Sequence, residues 1–229
     1  MKRFMLALMM LGLASFAWAK QNRTDVEDRL EDATKVLQDI MKTPDKGIPE
    51  EVFRGAKCVA VVPNMVKAGF IFGGKHGRGV ATCKLPDGSW SAPAFFTVTG
   101  GSWGLQIGVE GVSFIMMIMN DDGMRQLLSD KFQIGGSASA SAGPVGRHAS
   151  ADTGWKLNSE ILTYSRSKGL FAGIDLSGTE VERDGDSTIA MYGKDHSNTA
   201  VLTGKVAVPK AARPFLEAVE HAKVEARNR

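Results

Sequence analysis

The sequence predicts an α+β fold, predominantly antiparallel β of barrel-like or sandwich form, flanked by N-terminal and C-terminal helices. Three observations carry that prediction. Apolar residues recur at helical spacing from Thr24 to Lys42. Beyond Lys57 they come in short or alternating runs broken by glycine. Helical spacing returns from Pro209 to Arg227.

Residues 1–19 read as a secretory signal peptide. Lys2 and Arg3 precede an apolar stretch from Phe4 to Phe16, and Ala17, Trp18 and Ala19 form a small-residue cleavage pattern ahead of Lys20. The apolar run is shorter than the ~20 residues a spanning helix needs. No cysteine stands at the cleavage point to take a lipid anchor, so the expectation is export to the periplasm as a released chain, free or membrane-associated. Cleavage after Ala19 would leave 210 of the 229 residues, enough for one domain with flanking helices. The expected divisions are an N-terminal amphipathic helix at 20–47, a β-rich domain at 48–193, and a C-terminal segment with a closing helix at 194–229.

In the first helix Val26, Leu30, Ala33, Leu37, Ile40 and Met41 share one face, with Thr24 and Glu27 as a capping box. The other face sets Asp25, Glu27, Asp28, Glu31, Asp32 and Asp39 against Arg29, Lys35 and Lys42. Membrane-surface helices are usually basic there, so this helix is expected to pack on the domain. Pro44 and Gly47 end it, and Ile48 to Gly55 reads as a helical turn begun by Pro49.

Strands are expected at Cys58–Val62, Ala68–Gly73, Gly79–Leu85, Ala94–Thr99 and Leu105–Met119, with turns at Gly73–Gly79 and Pro86–Gly88. Val112 to Met119 is nearly all apolar, as in a central strand buried on both faces. Asn120, Asp121 and Asp122 cap a short helix through Leu128. The Gly, Ala and Ser stretch from Gly135 to Gly146 reads as strand and turn with close backbone approach. Further strands follow at Ile161–Ser165, Leu170–Leu176 and Thr188–Tyr192, and Asp184 to Asp186 reads as a polar hairpin turn. Ala212, Phe215, Leu216, Val219 and Ala222 form the apolar face of the closing helix.

The chain has 28 basic and 25 acidic residues. Loss of Lys2 and Arg3 with the signal peptide leaves 26 basic residues and near neutrality. Bulk charge therefore predicts no nucleic-acid partner, and an anionic ligand would need a local patch. Cys58 and Cys83 lie in candidate strands of an exported chain, where a disulfide is permitted. A bridge and two buried thiols both remain open at this level.

Catalytic chemistry finds no setting. Gly100, Gly101, Ser102, Trp103 and Gly104 match the Gly-x-Ser-x-Gly elbow, but a strand-like run follows where a helix is required. His76, His148, His196 and His221 lie at no metal-site spacing, and Asp184, Gly185 and Asp186 lack the downstream carboxylate of a calcium loop. No nucleotide motif is present. Neither a catalytic residue, a metal site nor a cofactor is predicted. What stands out is cations beside glycines: Lys67, Lys75, Arg78, Arg147, Arg166 and Lys168. Exposed N–H groups of glycine turns beside a guanidinium or ammonium suit a phosphate, and solvated hairpin ends are the plainer reading.

The same segments carry a resemblance. PNMVKAGFIFGGKHGRGV at Pro63–Val80, PAFFTVTGGSWGLQIG at Pro93–Gly108, GPVGR at Gly143–Arg147, and YSRSKGLFAGIDLSG at Tyr164–Gly178, closing near Tyr192 and Gly193, resemble the SYLF domain. The resemblance covers roughly Ile48 to Gly193, the 48–193 domain, and with the signal peptide it implies an exported bacterial member of that family. The resemblance implies lipid binding, with phosphoinositides as ligands of eukaryotic members and actin bundling in some fungal ones. In a bacterial periplasm the carry-over is an anionic phospholipid head group, such as phosphatidylglycerol or cardiolipin. The acidic N-terminal helix shifts that role to the six cations named above, with Phe70, Phe72 and Phe171 as an acyl path or, more plainly, as core. The expected function is a non-enzymatic periplasmic domain binding lipid or membrane surface. The alternative is an envelope scaffold that binds a protein partner.

Overall fold

The computed structural model describes residues 21–43, 47–69, 72–103, 108–145, 159–167, 170–171, 174 and 176–227. The signal-peptide reading at 1–19 falls outside them. Among the described residues no helix is long and apolar enough to cross a membrane.

Helix α1 (Arg23–Met41) buries Val26, Leu30, Ala33, Leu37, Ile40 and Met41, the face its spacing predicts. Its cap differs from expectation. Asn22 is the N-cap, accepting from the Asp25 backbone while the Asp25 carboxylate accepts from the Asn22 backbone. The first turn is thereby satisfied upstream of the predicted Thr24–Glu27 box. Arg29, read above as part of the solvent face, is buried. Helix α2 (Glu50–Gly55) follows with Pro49 as its N-cap.

The central element is a nine-stranded sheet of β1 (Cys58–Gly69), β2 (Phe72–Cys83), β3 (Ala94–Trp103), β4 (Gly108–Ile118), β5 (Lys131–Gln133), β6 (Ala140–Ala142), β7 (Ile161–Ser167), β8 (Leu170–Phe171) and β9 (Glu180–Arg183). The strand order is β5-β9-β3-β2-β1-β4-β7-β6, with β8 paired to β7. All described pairs are antiparallel except β6 with β7. β5 and β6 stand at opposite ends of that order yet follow each other in the chain. The short connection between them therefore requires the sheet to curl towards a barrel. Helices α3 (Asp121–Leu128), α4 (Gly185–Tyr192), α5 (Asn198–Leu202) and α6 (Arg213–Arg227) complete the described elements, with a 3-10 turn at Lys210–Ala212.

Side chains alternate across the strands, and both faces are covered. On the outer face Val59, Val61, Val80, Phe95, Ile115 and Met117 pack with the buried residues of α1 and α6. On the inner face Ala60, Val62, Ala81, Phe96, Phe114 and Met116 pack with Leu127 of α3, Phe132 of β5 and Leu202 of α5. Double burial is why Val112 to Ile118 is almost wholly apolar rather than alternating.

Four expectations about these elements need correction. The two strands predicted at Cys58–Val62 and Ala68–Gly73 are largely one, β1, whose register shifts between Val62 and Met65. An irregularity at Pro63 and Asn64 accommodates the proline without ending the strand. The predicted Gly73–Gly79 turn is the body of β2, paired on both sides with β1 and β3. Its glycines serve packing: a Cβ on Gly79 would overlap the Phe96 ring. Thr188–Tyr192, predicted as a strand, belongs to helix α4. Asp184 caps that helix by accepting from the Ser187 backbone at 3.0 Å, where a hairpin turn was expected.

Candidate functional site

Strand parity separates the predicted cations. On β2, Val80 belongs to the outer core, while Ala81 and Cys83 belong to the inner one. Arg78 and His76 therefore project outward and Lys75 inward. Lys67 stands opposite Lys75 across β1 and β2, and opposite Glu110 across β1 and β4. On the far side Lys75 faces Gly100 of β3. The inner face thus carries a row of Gly100, Lys75, Lys67 and Glu110.

Lys75 is 7% exposed and its Nζ donates to Thr179 Oγ1 at 3.3 Å. The glycine opposite it makes this possible. A Cβ on Gly100 would stand 3.3 Å from the Thr179 Cα, so the missing side chain lets the segment entering β9 pass close over β3. Lys67 is half-buried. Like charges directly across two strands repel, and the same row places the Glu110 carboxylate opposite Lys67 on β4.

The outer face holds Arg78 and Arg166 in different surroundings. Arg78 lines an open cleft of about 460 Å³ between α1 and the β1–β2 surface, shared with Asp25, Asp28, Asp32, Val66 and His76. Arg166 Nη1 pairs with Asp39 Oδ2 of α1 at 3.1 Å, and its Nε is buried without a hydrogen-bond partner. Arg166 thus holds the helix to the sheet. Arg147 and Lys168 lie outside the described residues, as does Phe70. The strands containing Phe72 and Phe171 are described, but not those side chains.

One cluster escaped the sequence reading. Arg29 Nη1 donates to Asp184 Oδ2 at 3.0 Å and Nη2 to Ser187 Oγ at 3.0 Å, joining α1 to the start of α4. The guanidinium carbon lies 5.6 Å from the Phe95 ring centroid. Burial by itself would raise the Asp184 pKa. The Ser187 hydroxyl and backbone N–H, with the Arg29 charge, outweigh it and hold the carboxyl below its ordinary value. The partners are 155 residues apart, so no local spacing signals them. The nearest hint is that Arg29 falls between Val26 and Leu30 on the buried side of the helix.

The Gly100–Gly104 motif enters along β3, paired with β2 as far as Trp103, and the next described element is strand β4. Among the described residues no group of three or more His, Cys, Asp or Glu is arranged to hold a metal ion. Fold and surfaces together define a helix-flanked, curled-sheet domain whose distinctive charged groups lie on two separate sheet faces.

Sequence comparison places that class. The chain belongs to the family described as "Ysc84: Las17-binding protein actin regulator", whose model matches residues 99–222, and the SYLF resemblance read from its motifs stands. It is 36% identical over 198 residues to Protein YSC84 of Saccharomyces cerevisiae, covering 82% of this chain and 42% of that protein. It is 32% identical over 196 residues to LAS seventeen-binding protein 3 of the same yeast, with coverages of 82% and 42%. The human SH3 domain-containing YSC84-like protein 1 is 29% identical over 204 residues, 86% of this chain and 59% of that protein. The chain thus spans under two thirds of the length of these relatives.

Proposed function

We propose that this chain is a non-catalytic binding domain, exported to the periplasm, that recognises anionic phospholipid head groups at the inner-face lysine row. The observation that carries the reading is the juxtaposition of Lys67 and Lys75 at one register position. Two lysines at one register position on adjacent strands concentrate like charge on one face, which a bound anion would stabilise. The Cys58–Cys83 disulfide supports an oxidising compartment. Arg78, on the opposite face, is outside this site.

Flotation with liposomes of phosphatidylcholine alone, and of phosphatidylcholine with phosphatidylglycerol, tests the proposal at low and moderate salt. Binding should need the anionic lipid and weaken with salt. The Lys67→Gln/Lys75→Gln double variant should lose about tenfold or more in affinity, on the scale of roughly 1 kcal/mol per cation near an anionic surface. Arg78→Gln should bind like the parent. Binding that ignores the double variant, or no binding at all, refutes the reading.

The names of the yeast relatives favour a second one, a protein-binding module, for which the open cleft beside α1 offers a surface. Lipid-independent capture of a purified protein partner, weakened by Arg78→Gln or Asp28→Asn, would support it.

A further inference from the structure

Cys58 opens β1 and Cys83 closes β2, and the two are register partners joined by a disulfide with a Cα–Cα distance of 3.9 Å. Both residues are fully buried, at 0% exposure, in the inner core. The Cys83 backbone is anchored as well: Ser91 N donates to Cys83 O at 2.8 Å, and Cys83 N donates to Ser91 Oγ at 3.0 Å. The pair is local in the chain, with a separation of 25 residues. Its cover is not local. Val201 and Leu202 of α5, which packs on β2 and β3, belong to the same core cluster and come from near the far end of the chain.

This arrangement separates the time at which the sulfurs can be reached from the time at which the fold is complete. Disulfide exchange requires a thiolate to attack a disulfide sulfur of another molecule and pass through a mixed disulfide, so the oxidant must touch the reacting sulfur. At 0% exposure it cannot. We infer that Cys58 and Cys83 are a folding-stage substrate of a thiol–disulfide oxidoreductase, oxidised before α5 closes over the inner face, and thereafter a sealed staple rather than a redox switch. The chemistry balances. One cysteine, as its thiolate, attacks the enzyme's disulfide, forming the mixed disulfide and releasing one enzyme thiolate. The second cysteine thiolate attacks the protein sulfur of that intermediate, forming the Cys58–Cys83 bond and expelling the other enzyme thiolate. Two electrons pass to the enzyme, and the protons lost by the two cysteines end on its two thiols.

The test uses the oxidised full chain, exposed to dithiothreitol and iodoacetamide in native buffer and in denaturant, with alkylation counted by mass spectrometry. Native reduction should be about a thousandfold slower or more than reduction of the unfolded chain, as expected when attack requires cooperative opening. It should also accelerate with sub-denaturing urea in parallel with global unfolding. A second arm mixes the reduced chain with an oxidised thiol–disulfide oxidoreductase, either on dilution from denaturant or after refolding in reductant. Oxidation should be fast in the first order of addition, and limited by opening in the second. Native reduction within about tenfold of the unfolded rate, or equally fast oxidation in both orders of a chain that circular dichroism shows to have refolded in reductant, overturns the inference. A reduced chain that stays unfolded by circular dichroism needs the bridge before α5 can close, which agrees with oxidation at the folding stage, and the first arm measures native-state protection independently.

Discussion

Removing the Asp184 carboxylate should be among the most destabilising single changes in this domain. In Asp184→Ala the Arg29 guanidinium stays where it is, 5% exposed at its side chain, and loses the carboxylate it is ion-paired with. Leaving one member of a buried ion pair uncompensated costs about 3–5 kcal/mol. The same substitution removes the N-cap of α4, worth roughly 1 kcal/mol. The converse change, Arg29→Ala, should cost less. Asp184 keeps hydrogen bonds from the Ser187 backbone at 3.0 Å and the Ser187 hydroxyl at 2.6 Å, so its charge stays partly satisfied. Urea unfolding of both variants and of Arg29→Met/Asp184→Ala would measure this. The double variant, which no longer buries an unpaired cation, should be more stable than Asp184→Ala alone. Losses under about 1 kcal/mol in both single variants would place the pair among weak surface bridges and refute the reasoning.

Acid should act through the same carboxyl. Because Asp184 is held below its ordinary pKa, its contribution is present above the unfolded value of about 3.9 and is lost as pH falls through the lower folded value. The loss of stability below about pH 4 should therefore be shallower in Asp184→Asn than in the parent, read by urea midpoints across acid buffers. Glycine substitutions in adjacent strands should diverge. Gly79→Ala puts its Cβ into the Phe96 ring and should cost roughly 1–3 kcal/mol through overpacking, whereas Gly101→Ala, with no atom within 4 Å of the new carbon, should be near neutral in the same assay. Equal costs at the two sites would show that strand glycines act through backbone freedom rather than space.

The elements most legible in the sequence were those whose signal is periodic and whose partner is any apolar surface. The buried face of α1 could be read residue by residue because Val26, Leu30, Ala33, Leu37, Ile40 and Met41 answer to a single helical repeat. The glycines of β2 were misread as a turn because the same residue serves bends and close packing. Only the Phe96 ring over Gly79 distinguishes the two, and it belongs to another strand. Thr188 to Tyr192 was misread as a strand for a related reason. The Asp184 cap that starts α4 is reinforced by Arg29 from the far end of the chain. Two of the six candidate cations, Lys67 and Lys75, do come together, but through a cross-strand register that no linear spacing encodes.

Parity along β2 decides how the binding hypotheses can be separated. Lys75 and Arg78 are three positions apart, an odd number, so a strand must send them to opposite faces, and a joint substitution would disturb two surfaces at once. The inner row touches the segment entering β9 through Thr179, while the outer cleft is walled by α1 through Asp25, Asp28 and Asp32. A ligand at one face therefore shares no side chain with a ligand at the other. If the inner row binds phosphate and the cleft binds a protein, Lys67→Gln/Lys75→Gln should remove only the first activity and Arg78→Gln only the second. If both variants weaken both activities, the two faces are coupled through the β1–β2 pair. The element to examine would then be the register shift between Val62 and Met65, which lies between the row and the disulfide-bonded end.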